Sequence, residues 1–325
     1  MNRMRYVGLW ALLISFGGIA ATATDVPKDT SDKSETPLRV SDMLTAAPAA
    51  DPMASGGLIA QLLDVHTPLT ERQSIFATFE KRAQDGSTSA QYVVGSLYRI
   101  GQLLPASPVP RDLDKARLYL SNAATHGRIL AMAKMAEVEL AAGNTLQAMV
   151  WAQTYGHYEL LLQASTRPSE GYLAELLQRA TEKFDKTKMP EVVNDLNAFV
   201  DNYDASVRTG VNETQDDYNK SDAKVTSSEN MHIFYSSPPV ISIHSGSQRL
   251  ASGFADVLIA FKPDGSVDNS WLLDATPDAG LGKALLPLST QASVTPQHDN
   301  AKPGLRYAWM PFVFDDERYT ISGKR

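Results

Sequence analysis

The chain has no cysteine among its 325 residues. Disulfides, thiol nucleophiles and thiolate metal ligands are therefore excluded. A chain of this length does not need disulfides, because its core is large enough without them. A basic excess is lacking too. Lys and Arg number 30 against 37 for Asp and Glu, which leaves a net charge of −7. General nucleic-acid binding calls for a basic surface, so this composition argues against it.

Catalytic patterns are missing as well. The histidines are His66, His126, His157, His232, His244 and His298, with no pair at i, i+4 and no His-Glu-x-x-His. That excludes the helical zinc-protease motif. Gly246-Ser247 is not followed by the glycine that a nucleophile elbow needs. No glycine-rich phosphate loop occurs. Asp216-Asp217 and Asp315-Asp316-Glu317 read as acidic surface or linker, not as an acid–base pair in an apolar cleft. His126 stands just before Gly127, where a cation meets the negative end of a helix dipole, so it is expected to cap. His232 and His244 flank a predicted strand, and nothing else there marks a metal site. The expectation is a protein that is not an enzyme, with no cofactor, no metal and no evident small-molecule substrate.

What is present starts with an address. Arg3 and Arg5 precede an apolar run from Val7 to Ile19, and Ala21-Thr22-Ala23 follows as a small-residue cleavage site. This is the three-part pattern of a secretory signal. Cleavage after residue 23 removes Arg3 and Arg5 and no acid, taking the charge from −7 to −9. The rival is an uncleaved anchor, for which the apolar run is at the short end. Export without cysteine suits a bacterial periplasm. Residues 24–55 are rich in Thr, Ser, Asp, Lys, Pro and Ala without a helical period, and read as a flexible tether.

From Ala83 to Tyr155 the chain goes twice through one helical pattern. Ala83, Gly86, Ala90, Val94 and Gly95 recur as Ala124, Gly127, Ala131, Met135 and Ala136, each 41 residues later. Ala116 and Tyr119 recur as Ala148 and Trp151 at an offset of 32. The shortfall is one insertion, the proline-bearing loop Leu103–Asp112. Repeats on this scale mark helical solenoids, in which stacked helix pairs bury one another's apolar faces. Gly86 and Gly127 fall where a left-handed residue ends a helix. Tyr92, Leu97, Tyr98, Leu118, Tyr119, Met132, Met135, Leu140 and Trp151 are expected to fill the space between layers. A short helix at Leu58–Val65 and a helix capped by Thr70 precede the repeats. Two more helices follow, opened by Pro168-Ser169-Glu170 and Pro190-Glu191, and are expected to close the stack.

The first round resembles the Sel-like repeat family, short relatives of the tetratricopeptide repeat. The carrying residues are Ala83-Gln84-Asp85-Gly86, Ala90-Gln91-Tyr92, Gly95-Ser96-Leu97-Tyr98, Gly101, Asp114-Lys115-Ala116, and Tyr119 to Ala124 leading into His126-Gly127. The second round departs from it: Ala136 replaces the glycine, and Glu139 sits where Tyr98 does. The resemblance implies a protein-interaction scaffold, with Tyr92 and Tyr119 as candidate partner-binding residues.

Period is lost over 209–230, which reads as an acidic linker. Beyond it the pattern is that of strands. Met231–Tyr235 is strand-like, and Phe254, Val257, Ile259 and Phe261 lie in a strand of largely alternating apolarity. Lys262-Pro263-Asp264-Gly265 is a turn, and Val267–Leu273 returns from it. A short helix at Leu281–Leu288 and a final strand at Tyr307–Phe314 complete a strand–strand–helix–strand order. That order, with Gly253-Phe254-Ala255-Asp256-Val257-Leu258-Ile259-Ala260-Phe261, Asp264-Gly265-Ser266-Val267 and Tyr307–Phe314, resembles the C-terminal domain of TonB-type proteins. The family pairs a sheet edge with a short peptide of its partner. The resemblance implies Tyr307, Trp309 and Phe312 as candidate partner-binding residues. The family's Tyr-Pro before the first strand and its proline-rich rod are missing, which puts energy coupling in doubt.

The expected fold class is α+β: an N-terminal α-helical solenoid plus a small β-β-α-β domain. The boundaries are 1–23 signal peptide, 24–55 tether, 56–208 helical repeats, 209–230 linker and 231–325 C-terminal domain. The expected function is a periplasmic adaptor for other envelope proteins, using a helical groove and a strand edge. The alternative is a membrane-anchored transducer to outer-membrane receptors. Edge pairing could also make a homodimer.

Overall fold

The computed structural model describes residues 56–162, 170–220, 252–294, 296 and 304–314. Signal, tether and the strand expected at Met231–Tyr235 lie outside the described residues. The helices are α1 (Gly56–Leu63), α2 (Leu69–Gln84), α3 (Thr88–Ile100), α4 (Leu113–Thr125), α5 (Ile129–Ala142), α6 (Thr145–Tyr158), α7 (Glu170–Thr181) and α8 (Met189–Lys220). Each packs on the next in sequence, from α1 on α2 through to α7 on α6, with α8 returning to α6 and α4. This neighbour-to-neighbour stacking is that of a helical repeat.

The two rounds superpose on these helices as the offsets require. Helices α3 and α5 begin at Thr88 and Ile129, 41 residues apart, and α4 and α6 begin at Leu113 and Thr145, 32 apart. Gly86 and Gly127 end α2 and α4 with φ of 94° and 89°. Backbone there is left-handed, which glycine adopts without a Cβ clash. The departure at Ala136 has a packing reason. A Cβ on Gly95 would come within 2.8 Å of the Leu120 side chain. The equivalents of Gly95 and Leu120 in the second round are Ala136 and Ala152, both fully buried. One round pairs glycine with leucine, the other alanine with alanine.

Three expectations change. Thr70 does not cap α2: the helix begins at Leu69, and Pro68, at φ −53° and ψ 140°, stands before it without a side-chain cap bond. Proline's fixed φ suits helix entry, and the start lies two residues earlier than a Thr70 cap would place it. Leu118 does not fill a layer, because it points outward and is 54% exposed. The third concerns residues 209–220, read as linker but helical through Lys220. Gly210 resembles a helix breaker; here it lets α8 cross the α4–α5 turn, where a Cβ would collide with the His126 carbonyl. Close approach is the other use of glycine in a helix.

The C-terminal part is a three-stranded antiparallel sheet of order β2-β1-β3. Its strands are β1 (Gly253–Phe261), β2 (Val267–Thr276) and β3 (Arg306–Phe314), with the short helix α9 (Ala279–Leu285) between β2 and β3. The strand–strand–helix–strand order is thus observed. The turn at Lys262–Gly265 closes with Gly265 at φ 87°. Helix α9 begins two residues before Leu281, where Asp278 accepts from the amides of Gly280 and Leu281, and it ends before Pro287.

Strand β1 is buried along its whole length. A strand presents alternate residues to opposite faces. Ala255, Val257, Ile259 and Phe261 share a core with Leu281 and Leu285 of α9. Phe254 and Leu258 instead join the core of the helical repeats. The sheet therefore has α9 on one face and the helices on the other. Helix α1 touches all three strands, and α3 lies on β2. Tyr172 of α7 meets the Phe254 ring edge-on at 5.6 Å between centroids. The proline-bearing insertion serves the same junction: Leu104 and Ala106 are buried in the core around α9. Arg72 of α2 donates to the Ala106 carbonyl.

Candidate interaction surfaces

The junction of helices and sheet holds a buried charged cluster. Lys134, in the apolar run of α5, is fully buried, as is Asp274, while Asp256 is 5% exposed. The Lys134 ammonium bonds Asp256 and lies 3.2 Å from Asp274. It also donates to the Ser96 hydroxyl at 2.7 Å. Arg99 of α3 grips Asp274 with two nitrogens, Nε at 2.9 Å, and donates to the Ala275 carbonyl. The Tyr92 hydroxyl donates to Asp256 at 2.6 Å, and the Lys134 ammonium sits 4.1 Å from the Tyr92 ring centroid. Two cations meet two anions, and nearly every polar atom has a partner. Buried charge is tolerable only on those terms.

The electrostatics follow from this geometry. Burial alone would lower the Arg99 pKa, but the adjacent Asp274 outweighs it and holds the guanidinium above its ordinary value. Burial pushes the Tyr92 phenol well up, and the Asp256 carboxylate adds to the rise. Both groups keep their protons at neutral pH.

A second polar cluster braces the later helices. Arg179 of α7 holds Glu137 of α5 through two bonds of 2.7 and 2.6 Å, and the Tyr172 hydroxyl donates to Glu137 at 3.1 Å. Glu139, the residue standing for Tyr98 in the second round, is bound by Arg117 at 2.6 and 3.1 Å and by Asn144 at 2.7 Å. The repeat departs from pattern there to keep a buried acid satisfied. His126 ends α4 with its Nδ1 2.8 Å from the Asn122 carbonyl oxygen, the position expected of a cap.

The five residues singled out from sequence fall in different settings. Tyr92 is half-buried and committed to Asp256. Tyr119 is buried, stacked on Tyr98 at 6.2 Å between centroids. Phe312 is buried in the core around α9. Tyr307 and Trp309 are half-buried on the face toward the helices. Gly56 of α1 packs against the Tyr307 ring so closely that a Cβ could not be accommodated. Strand β3 itself is an outer strand, paired with β1 on one side from Arg306 to Phe314. Pro311, lacking an amide hydrogen, lies within it, as proline in sheets does at edges.

No protein family and no curated protein matches this chain. Among solved structures it is similar to a protective antigen present in uropathogenic Escherichia coli strains, described as displaying an SLR fold. The two are 15% identical with a TM-score of 0.36, over 49% of this chain and 33% of the other. The chain thus matches about a third of that protein's length.

The charged cluster was not anticipated from the sequence. Its signal was there: Lys134 is the one charge within Ile129–Ala136, Asp256 the one charge within Gly253–Phe261, and Asp274 follows Trp271-Leu272-Leu273. One charge in an otherwise apolar stretch implies a buried partner. The partner could not be named, because Lys134 and Asp256 are 122 residues apart and Arg99 and Asp274 are 175 apart. Among the described residues no group of three or more histidine, aspartate or glutamate side chains is placed to hold a metal ion. A groove of about 370 Å³ beside α8 is lined by Thr88, His126, Ser206, Thr209 and Glu213. It opens to solvent and gathers no convergent charge.

Proposed function

We propose that the protein is a non-enzymatic adaptor of the bacterial envelope, exported to the periplasm, which binds other envelope proteins through the free edge of β3. The carrying observation is that β3 pairs with β1 on one side only among the described residues. An outer strand offers main-chain donors and acceptors to a partner's extended segment. Tyr307 and Trp309 flank that edge on the helix side. Pro311 removes one donor, so pairing would be strongest over Arg306–Met310. The TonB-type resemblance supports this mode, and the helical repeats serve as a rigid mount. Neither nucleic acid nor a small-molecule substrate is part of the reading.

The address rests on the N-terminal pattern. Among the described residues no helix is long and apolar enough to cross a membrane. If the N-terminal run stays uncleaved, the same edge would belong to an inner-membrane transducer that reaches outer-membrane receptors.

The test places a photo-crosslinking residue at Leu305, exposed just before β3, with exposed Leu118 on α4 as control. The expected result is one envelope protein captured from Leu305 and not from Leu118, with the contact mapping to a short extended segment. Capture at neither site, or equally at both, sinks the reading. Intact mass in the same fractions decides the address. Loss of the N-terminal residues in the soluble periplasmic fraction fits the adaptor, and full length in the inner membrane fits the transducer.

A further inference from the structure

The charges at the helix–sheet junction are divided by side. Both cations, Arg99 and Lys134, come from helices, and both anions, Asp256 and Asp274, come from the sheet. A core assembled only for stability would gain as much from apolar residues in these places. Division by sign is instead the arrangement of complementary binding surfaces, where charge selects partner and register. The sheet is also presented as a ligand would be. Its other face has a separate core with α9, built from Ala255, Val257, Ile259, Phe261, Leu281 and Leu285. The face turned to the helices is Phe254, Asp256 and Leu258: apolar, acidic, apolar on alternate residues of an extended chain.

We infer that the helical face bearing Arg99, Lys134 and Tyr92 is a recognition surface for an extended acidic peptide segment of the pattern apolar–x–acidic–x–apolar, and that the chain's own β1 occupies it as an intramolecular competitor. Lys134 and the Tyr92 hydroxyl, the two groups that bond Asp256, select the acid. Tyr172, in edge contact with Phe254, selects the first apolar residue. A partner binds by displacing the sheet that carries β1, so its apparent affinity is reduced by the fraction of time the face is open. This rests on the adaptor reading in general but not on the β3 edge. Loss of capture at Leu305 and loss of binding here are separate results.

The probe is a labelled peptide, Ser-Gly-Phe-Ala-Asp-Val-Leu, titrated onto the full chain by fluorescence anisotropy. The Phe254→Ala variant removes the ring contact with Tyr172 and leaves all four charges in place, so it loosens β1 without stranding an ion. Expected is binding at least about tenfold tighter to Phe254→Ala than to the unaltered chain, as the open fraction rises. A peptide with Asn for Asp loses at least about tenfold. Adding Lys134→Met to the variant abolishes binding. Equal binding of the Asp and Asn peptides, or no binding to a Phe254→Ala chain that still melts cooperatively, overturns the inference. If that variant does not fold, the unaltered chain carries the test by hydrogen exchange. Saturating peptide should speed exchange of the amides at 253–261, and unchanged exchange overturns the inference.

Discussion

Asp256 and Asp274 sit directly opposite each other on β1 and β2, and the Lys134 ammonium reaches both. Facing like charges in a sheet repel. Here the repulsion is cancelled by cations from the helices, so sheet pairing and helix docking depend on each other.

Lys134→Met is expected to be strongly destabilising. It removes the charge shared by the two aspartates and leaves Asp256 buried with only the Tyr92 hydroxyl. Breaking a buried pair from one side costs about 3–5 kcal/mol. Urea unfolding should show the midpoint falling accordingly. Lys134→Met with Asp256→Asn should lose less than the sum of the single changes. Additive losses would mean that the two groups are not coupled.

Alkali should destabilise the fold through Tyr92 and Tyr172. Burial raises both well above the ordinary 10.0, with Asp256 adding for Tyr92 and Glu137 for Tyr172. In the unfolded chain each ionises near its ordinary value. Below that pH both states hold the same protons and the contribution is complete. As pH rises past 10.0 the unfolded chain releases protons that the fold retains, so stability falls with rising pH. Phenolate absorbance of the native protein should leave at least these two tyrosines untitrated until the unfolding step. Smooth titration of all tyrosines before unfolding would contradict this.

Gly210→Ala should perturb α8 despite the mild substitution. The new methyl group would strike the His126 carbonyl and press on Gly127. Overpacking of this kind costs about 1–3 kcal/mol. Thermal melting should register the loss, whereas Ala205→Ser on the same helix should be nearly silent. If Gly210→Ala melts like the parent, α8 does not pass the α4–α5 turn as described.

Gly95→Ala tests the match of the two rounds. Its Cβ would approach the Leu120 side chain at 2.8 Å. Gly95→Ala with Leu120→Ala rebuilds the Ala136/Ala152 pairing of the second round. The double variant should cost less than the sum of the singles by roughly 0.5–3 kcal/mol. Strict additivity in urea unfolding would show that the two positions do not touch.

Much of the helical part was legible because its signals are local. Offsets of 41 and 32, glycines after helical runs, and proline before Glu170 each act over a few residues, and the helices begin accordingly. Glycine was the ambiguous letter. Gly86 ends a helix, whereas Gly210 continues one, and the difference lies in what passes nearby. The strand–strand–helix–strand order along the chain and the turn between the first two strands were legible for the same local reason. The five residues chosen as candidate contacts were chosen by aromatic type, which does not distinguish a stacked interior tyrosine such as Tyr119 from a half-buried edge residue such as Trp309.

By itself the sequence determined the elements, their order, the repeat and the absence of thiol chemistry, since these follow from residue type and spacing along one chain. Only the tertiary structure decided that the sheet lies against the helices, with Asp256 and Asp274 answering Lys134 and Arg99. A buried charge announces that it needs a partner but not which one. Across 122 and 175 residues, the choice is made by packing in three dimensions.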